Sequence, residues 1–359
     1  MTTAQGSDGP GSAEGSSYPV GIDGEHVTEW FAAHVPHVEP PLTFSLITGG
    51  HSNLTFEVRD GGSGHWVLRR PPLGHVLATA HDMRREHRII SALAPTAIPV
   101  APAVGLCTDE GVNGAPFYVM EFVEGRVVRD IATAAALTDT ERRTAGESLV
   151  DVLADIHEID VDAVGIGDLG RREAYIERQL NRWYKQFLQS KTREVPLVDA
   201  VHDHLLANVP EQGAASIVHG DYRLDNCMLG TDARVAAVLD WEICTLGDPL
   251  ADLGLLWVYW GAPTDAGPTG VFSPTTLDGF PTREELADRY ASRSGRDISL
   301  LGFYVAFGYW KLACILDGVY ARYVAGAMGS QGDASAFQGF ADTVDRLAEA
   351  AHDAARDGA

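Results

Sequence analysis

The 359-residue chain predicts an α+β fold in two lobes, a small β-rich N-terminal lobe followed by a larger, mainly helical one. Three observations lead there. Residues 42–123 fall into short apolar runs separated by Gly-rich turns, which is a strand pattern. After Gly125 the apolar spacing becomes helical, with Thr138-Asp139-Thr140-Glu141 and Thr282-Arg283-Glu284-Glu285 as capping boxes. Within the helical half, short strands surround two polar clusters, His219-Gly220-Asp221-Tyr222-Arg223-Leu224-Asp225-Asn226 and Val238-Leu239-Asp240-Trp241-Glu242.

In chain order, residues 1–20 read as a disordered tail of Gly, Ser and Thr, the N-lobe as 21–123 and the C-lobe as 124–359. A short amphipathic helix is expected around Glu25–His34. Strands follow at Leu42–Ile47, Leu54–Arg59 and Trp66–Arg69, linked by Thr48–Asn53 and by the turn Asp60–Gly64. A helix over Ala80–Leu93 sets Ile89, Ile90 and Leu93 on one side and Glu86 in its middle. Two more strands, Val104–Thr108 and Phe117–Val123, flank a turn at Asp109-Glu110-Gly111. In the C-lobe, helices are expected from Thr138 to about Ile156, over Arg172–Gln189, Leu250–Trp260, Arg283–Ser292, Leu300–Val324 and Ala334–Ala355. Strands are expected at Ser216–Val218, Cys227–Leu229 and Val235–Leu239. Gly261–Gly279 reads as a loop that borders a substrate site.

Composition narrows the partners. A net charge of −23 argues against nucleic acid or an anionic membrane as the main partner, since both need a basic face. No run of about 18 uninterrupted apolar residues occurs, so no membrane span is expected. Cys107, Cys227, Cys244 and Cys314 are scattered, so neither a zinc site nor a disulfide framework is indicated and a cytoplasmic location is the default. The expected assembly is a monomer or a homodimer.

The two polar clusters carry the chemistry. Asp221, Asn226 five residues on, and Asp240 fourteen beyond that are the spacing a phosphoryl-transfer site needs. Asp221 is read as the group that orients a hydroxyl acceptor, with Asn226 and Asp240 holding Mg²⁺ against the phosphates of ATP. The Gly-containing turn supplies Gly49, Gly50, Ser52 and Asn53 as phosphate-facing candidates. It is not a P-loop, because it lacks Gly-Lys-Ser/Thr and leads to a strand. Arg69 at the end of the third strand is read as contacting the α/β-phosphates and pairing with Glu86, where Lys is the commoner residue. Arg70 points to the other face by strand alternation. Glu121 and Val123 offer main-chain groups to an adenine. Asp248 is expected to cap a helix with Pro249 at its first position, and Asp252 to brace the loop of Asp221.

These residues resemble the aminoglycoside phosphotransferase-like (APH) branch of the protein-kinase-like superfamily, and the likeness runs from about residue 40 to 330. Its motifs are His219-Gly220-Asp221…Asn226, Asp240-Trp241-Glu242 and Gly247-Asp248-Pro249-Leu250-Ala251-Asp252-Leu253. Val67-Leu68-Arg69-Arg70-Pro71-Pro72, Phe117-Tyr118-Val119-Met120-Glu121 and Ala313–Tyr323 look more narrowly like the kinase-like domains associated with acyl-CoA dehydrogenases. The broader resemblance implies a bilobal, ATP-dependent small-molecule kinase. The narrower one implies a hydroxyacyl-CoA as acceptor, with antibiotic phosphorylation and a catalytically silent nucleotide-binding module as the rival readings.

Overall fold

Helix α1 (Gly24–His34) starts at Asp23, whose carboxylate accepts the His26 N–H at 3.3 Å, and it buries Val27, Trp30 and Phe31. The computed structural model describes residues 18–47, 53–73, 82–261, 273–324 and 334–357. They divide into two compact units. One holds the described residues up to His87 together with Ala103–Phe122; the other holds Arg88–Pro102 and the chain from Val123 on.

In the first unit, β1 (Thr43–Leu46), β2 (Leu54–Arg59) and β3 (His65–Arg70) precede the start of α2 (Met83–Leu93), whose residues from Arg88 on count with the second unit, and β4 (Ala103–Cys107). Helix α3 (Glu110–Asn113) and β5 (Phe117–Glu121) follow. The strands form one antiparallel sheet in the order β1-β2-β3-β5-β4. Its register puts Phe56 opposite Leu68 and Leu68 opposite Val119. These side chains pack with Val27, Trp30 and Phe31 of α1 in one apolar cluster, in which Trp30 meets Phe117 edge to face at 5.0 Å. Each fully buried side chain of this kind contributes roughly 1.5–3 kcal/mol. The turn expected at Asp109-Glu110-Gly111 is instead the start of α3, because Asp109 caps it by accepting the Gly111 N–H at 2.8 Å.

The second unit opens with β6 (Arg126–Val127), α4 (Ile131–Ala135) and α5 (Asp139–His157). The Thr138 capping box forms as expected: Thr138 Oγ1 accepts the Glu141 N–H, and Glu141 Oε2 accepts the Thr138 N–H at 2.7 Å. Next come α6 (Tyr175–Ser190) and α7 (Pro196–Ala207), then β7 (Ser216–Val218), β8 (Cys227–Leu229), β9 (Val235–Val238) and β10 (Thr245–Gly247). Helices α8 (Leu250–Tyr259), α9 (Arg283–Ser294), α10 (Leu301–Val324) and α11 (Ala334–Asp357) complete it. The short strands make two ladders, β6-β8-β9 and β10-β7. Pro99 O accepts the Val238 N–H at 2.8 Å, which ties the 88–102 segment to β9.

Helix α5 is bound to α9 by two forked ion pairs, Arg289–Asp151 and Arg293–Asp155, each with both N···O distances between 2.7 and 2.9 Å. Helix α8 presses on α10 so closely that a Cβ on Gly254 would lie 2.5 Å from the Tyr304 main chain. Two helices had no expectation from the sequence, α4 and α7. Among the described residues no helix is long and apolar enough to cross a membrane. All four cysteines are free and buried.

Candidate active site

The loop after β7 is set by its main chain first. Gly220 has φ +86, a region in which a side chain is strained. Tyr222 is fully buried, and its hydroxyl donates to Leu149 O at 2.8 Å, which pins the loop to α5. A single 3-10 turn (Leu224–Asn226) then brings Asn226 back to Asp221. Asn226 Nδ2 donates to both the main-chain oxygen and Oδ2 of Asp221, each at 2.9 Å. Arg223 reaches the same Oδ2 with Nε at 3.3 Å and pairs with Asp225 at 3.0 Å. Its guanidinium carbon lies 4.9 Å from the centre of the Tyr259 ring. Burial and then the Asp221 charge push the Tyr259 phenol above its ordinary range.

Asp240 arrives through the β8–β9 ladder. Cys227 pairs with Val238, and Asn226 O accepts the Leu239 N–H at 2.8 Å. Asn226 and Asp240 therefore sit at the same end of this hairpin. Asp240 has φ +63, an unusual conformation for a residue with a side chain and one that often marks a functional position.

The donor chemistry at this point fits a hard cation. The Asn226 nitrogen is used on Asp221, which leaves its carbonyl oxygen as the group suited to a cation. One or two such oxygens plus phosphate oxygens are what Mg²⁺ ordinarily takes from a protein. Among the described residues no cluster of three or more His, Cys, Asp or Glu forms a self-sufficient metal cage.

Asp252 braces the loop as expected. It is 1% exposed, and its two oxygens accept the main-chain N–H groups of His219 at 2.6 Å and Gly220 at 2.8 Å. Burial raises its pKa, but His157, His219 and the Gly220 N–H outweigh burial and hold the carboxyl below its ordinary value. His157 Nε2 lies 3.4 Å from Asp252, and its Nδ1 is 2.7 Å from the Tyr290 hydroxyl. Complete burial depresses the His157 pKa. His219 is structural: its Nε2 meets Leu239 O at 2.9 Å, and its ring packs 4.9 Å from that of buried Trp241. Asp248 sits one residue earlier than a helix cap. Pro249 occupies the cap position, while Asp248 accepts from the Leu250 N–H at 3.1 Å and from the Tyr304 hydroxyl at 2.7 Å.

In the first unit, strand alternation sends Arg69 and Arg70 to opposite faces. Arg69 Nε pairs with Glu86 at 2.9 Å, and Glu86 is only 2% exposed. The Tyr118 hydroxyl and Asn53 Nδ2 also donate to Glu86, at 3.0 and 3.2 Å. Asn53, expected as part of a phosphate-facing turn, thus spends its amide on Glu86. Arg70 Nη1 instead donates to the main-chain oxygens of Gly21 and Asn113. Gly49, Gly50 and Ser52 lie outside the described residues. Glu121 ends β5 opposite Trp66, and Val123 begins the second unit.

Arg223, Tyr259 and His157 were not singled out from the sequence. Arg223 had a local signal, since it lies two residues after Asp221. Tyr259 and His157 had none, because each is brought in from a distant helix.

The α+β architecture and the likenesses that follow place the chain among phosphotransferases acting on small molecules. The chain belongs to the phosphotransferase enzyme family (APH), whose family model matches residues 43–288. It is 36% identical over 314 residues to acyl-CoA dehydrogenase family member 11 of Mus musculus, an alignment covering 86% of this chain and 39% of that protein. A probable acyl-CoA dehydrogenase of Arabidopsis thaliana is 36% identical over 307 residues, covering 80% of this chain and 37% of that one. The chain thus spans about two-fifths of the length of these curated relatives.

A crystal structure from Ralstonia eutropha, assigned to the aminoglycoside phosphotransferases, superposes with a TM-score of 0.78 at 34% identity, covering 94% of this chain and 99% of that one. A macrolide 2'-phosphotransferase from Brachybacterium faecium shares the fold at a TM-score of 0.58 and 20% identity, covering 89% and 98%.

Proposed function

We propose that this chain transfers the terminal phosphoryl group of ATP to the hydroxyl of a small molecule. The observation that carries the reading is the pair of Asn226 hydrogen bonds to Asp221, with Asp240 held beside Asn226 by the β8–β9 ladder. Asp221 is the catalytic residue and accepts a hydrogen bond from the acceptor hydroxyl. Asn226 has two roles: its nitrogen fixes the Asp221 rotamer and its oxygen, with Asp240, offers ligands for Mg²⁺. When bound, Mg²⁺ would neutralise charge on the transferred phosphate. Arg69, anchored by buried Glu86, binds nucleotide phosphates, and Gly49, Gly50 and Ser52, which lie outside the described residues, are assigned to the same phosphates on their sequence alone. Glu121 and Val123 supply main-chain contacts to the adenine. Positioning and charge compensation then supply most of the acceleration.

For the acceptor we favour a hydroxyacyl-CoA over an antibiotic. The likeness to kinase-like segments of proteins named as acyl-CoA dehydrogenases supports it, at 36% identity over most of this chain. The test is radiolabelled ATP with Mg²⁺ against hydroxyacyl-CoAs of varied chain length, aminoglycosides and macrolides. Label transfer to a hydroxyacyl-CoA is the expected result. Transfer only to an antibiotic would replace the acceptor, and nucleotide binding with no transfer to any hydroxyl compound would replace the kinase reading with that of a silent module.

A further inference from the structure

Lys311, on α10, is a buried lysine that the reading above leaves without a role. It is 6% exposed, and its Nζ donates to Gly220 O at 2.9 Å and lies 5.9 Å from the centre of the Trp183 ring. The charged groups that bear on it are Asp221 from the loop, Asp252 from α8 and Arg182 from α6. Burial lowers its pKa, the two carboxylates oppose that, and Arg182 adds to it. Burying an ammonium costs several kcal/mol. A methionine would fill the same space without that cost, so the charge is what calls for an explanation.

The explanation lies in what Gly220 does. With φ +86 it takes a backbone conformation that side chains rarely adopt, and both of its polar groups are held: its N–H by Asp252 at 2.8 Å, its carbonyl by Lys311 at 2.9 Å. The carbonyl belongs to the Gly220–Asp221 peptide, so gripping it fixes the plane from which the Asp221 side chain departs. We propose that Lys311 is a positioning residue for phosphoryl transfer, clamping the Gly220 carbonyl so that the Asp221 carboxylate is aimed at the acceptor. Its catalytic consequence rests on the kinase reading; its structural consequence does not.

The test uses Lys311→Met in the full chain with two readouts. The first is phosphate release from Mg²⁺·ATP in water with no added acceptor. A small misplacement of a reacting group costs about 10²-fold, so kcat should fall roughly 30-fold or more while KM for ATP stays within about threefold. The second is amide hydrogen exchange, which should quicken by about tenfold or more in peptides covering 216–226 and stay unchanged in α5 and α9. Wild-type exchange rates at 216–226, a kcat within threefold of wild type, or uniform quickening across the chain would each overturn the proposal. Where the wild-type chain releases no phosphate in water, the kinase reading stays with the acceptor test above and exchange alone decides the clamp. Should Lys311→Met not fold, Lys311→Ala is read with ethylammonium added. Restored protection over 216–226 with ethylammonium but not with propanol supports the clamp, and equal effects of the two overturn it.

Discussion

Asn226 Nδ2 lies 2.9 Å from both Oδ2 and the main-chain oxygen of Asp221, so one amide group fixes both the side chain and the backbone of the proposed catalytic residue. It also leaves the Asn226 oxygen as the group offered to a cation. The two residues are therefore expected to fail differently when changed.

Asp221→Asn keeps the size of the side chain and removes its charge. Turnover should fall by about 10³-fold with little change in melting temperature, since removing a general base typically costs 10²–10⁴-fold. Steady-state phosphate transfer with a parallel thermal melt checks this. Turnover within tenfold of wild type would remove Asp221 from the catalytic role.

Asn226→Ala should raise the Mg²⁺ concentration needed for half-maximal activity by about tenfold or more, as loss of a metal-site ligand commonly does. A Mg²⁺ titration at saturating ATP is the measurement. An unchanged midpoint would mean that Asn226 serves Asp221 only.

Arg69→Met leaves buried Glu86 without its ion-pair partner, while Tyr118 and Asn53 still donate to it. The expected outcome is a KM for ATP raised by about tenfold, equivalent to roughly 1.4 kcal/mol, together with lower stability. Isothermal titration with a non-hydrolysable ATP analogue separates the two effects. Unaltered nucleotide affinity in a folded variant would dismiss Arg69 as a phosphate ligand.

His157 makes stability depend on pH. Burial depresses its folded-state pKa, whereas the unfolded chain has a value of about 6.5. The unfolded state therefore binds more protons just below pH 6.5. The stabilisation is fully present above that pH and is lost as pH falls toward the folded-state pKa, by at most about 1.4 kcal/mol per pH unit. His157→Gln should have a shallower loss of melting temperature between pH 6.5 and 5.5 than wild type. Parallel slopes for the two proteins would show that His157 does not control this range.

Gly254→Val tests the α8–α10 contact. A Cβ there would meet the Tyr304 main chain at 2.5 Å, and main chain cannot turn aside as a flexible side chain does. The variant should lose about 1–3 kcal/mol of stability or more, read by urea denaturation. A change below 0.5 kcal/mol would mean that the two helices separate easily.

What could be read from the sequence was local. The capping box at Thr138, the opposite faces of Arg69 and Arg70, and the paired loops of Asp221 and Asp240 each depend on contacts within a turn, a strand or one short hairpin. Helix α7 escaped notice because its first turn, starting at Pro196, has no side-chain cap, and its packing comes from far away: Val198 O accepts the Trp310 indole N–H at 3.0 Å. Asn53 is expected in a phosphate-facing turn because Gly49 and Gly50 lie just before it, and the partner its amide takes, Glu86, is 33 residues away and invisible to turn chemistry.

The sequence by itself determined the passage from a strand-rich half to a helical one and the three residues spaced for phosphoryl transfer. Only the tertiary structure decided what holds Asp221 in place. Besides the brace from Asp252, which its motif already suggests, Tyr222 reaches Leu149 on α5 and Lys311 on α10 takes the Gly220 carbonyl. Tyr222 and Leu149 are 73 residues apart in the chain, and Lys311 and Gly220 are 91. Periodicity and turn chemistry report interactions over a few residues, so partners this distant become visible only once the helices have packed.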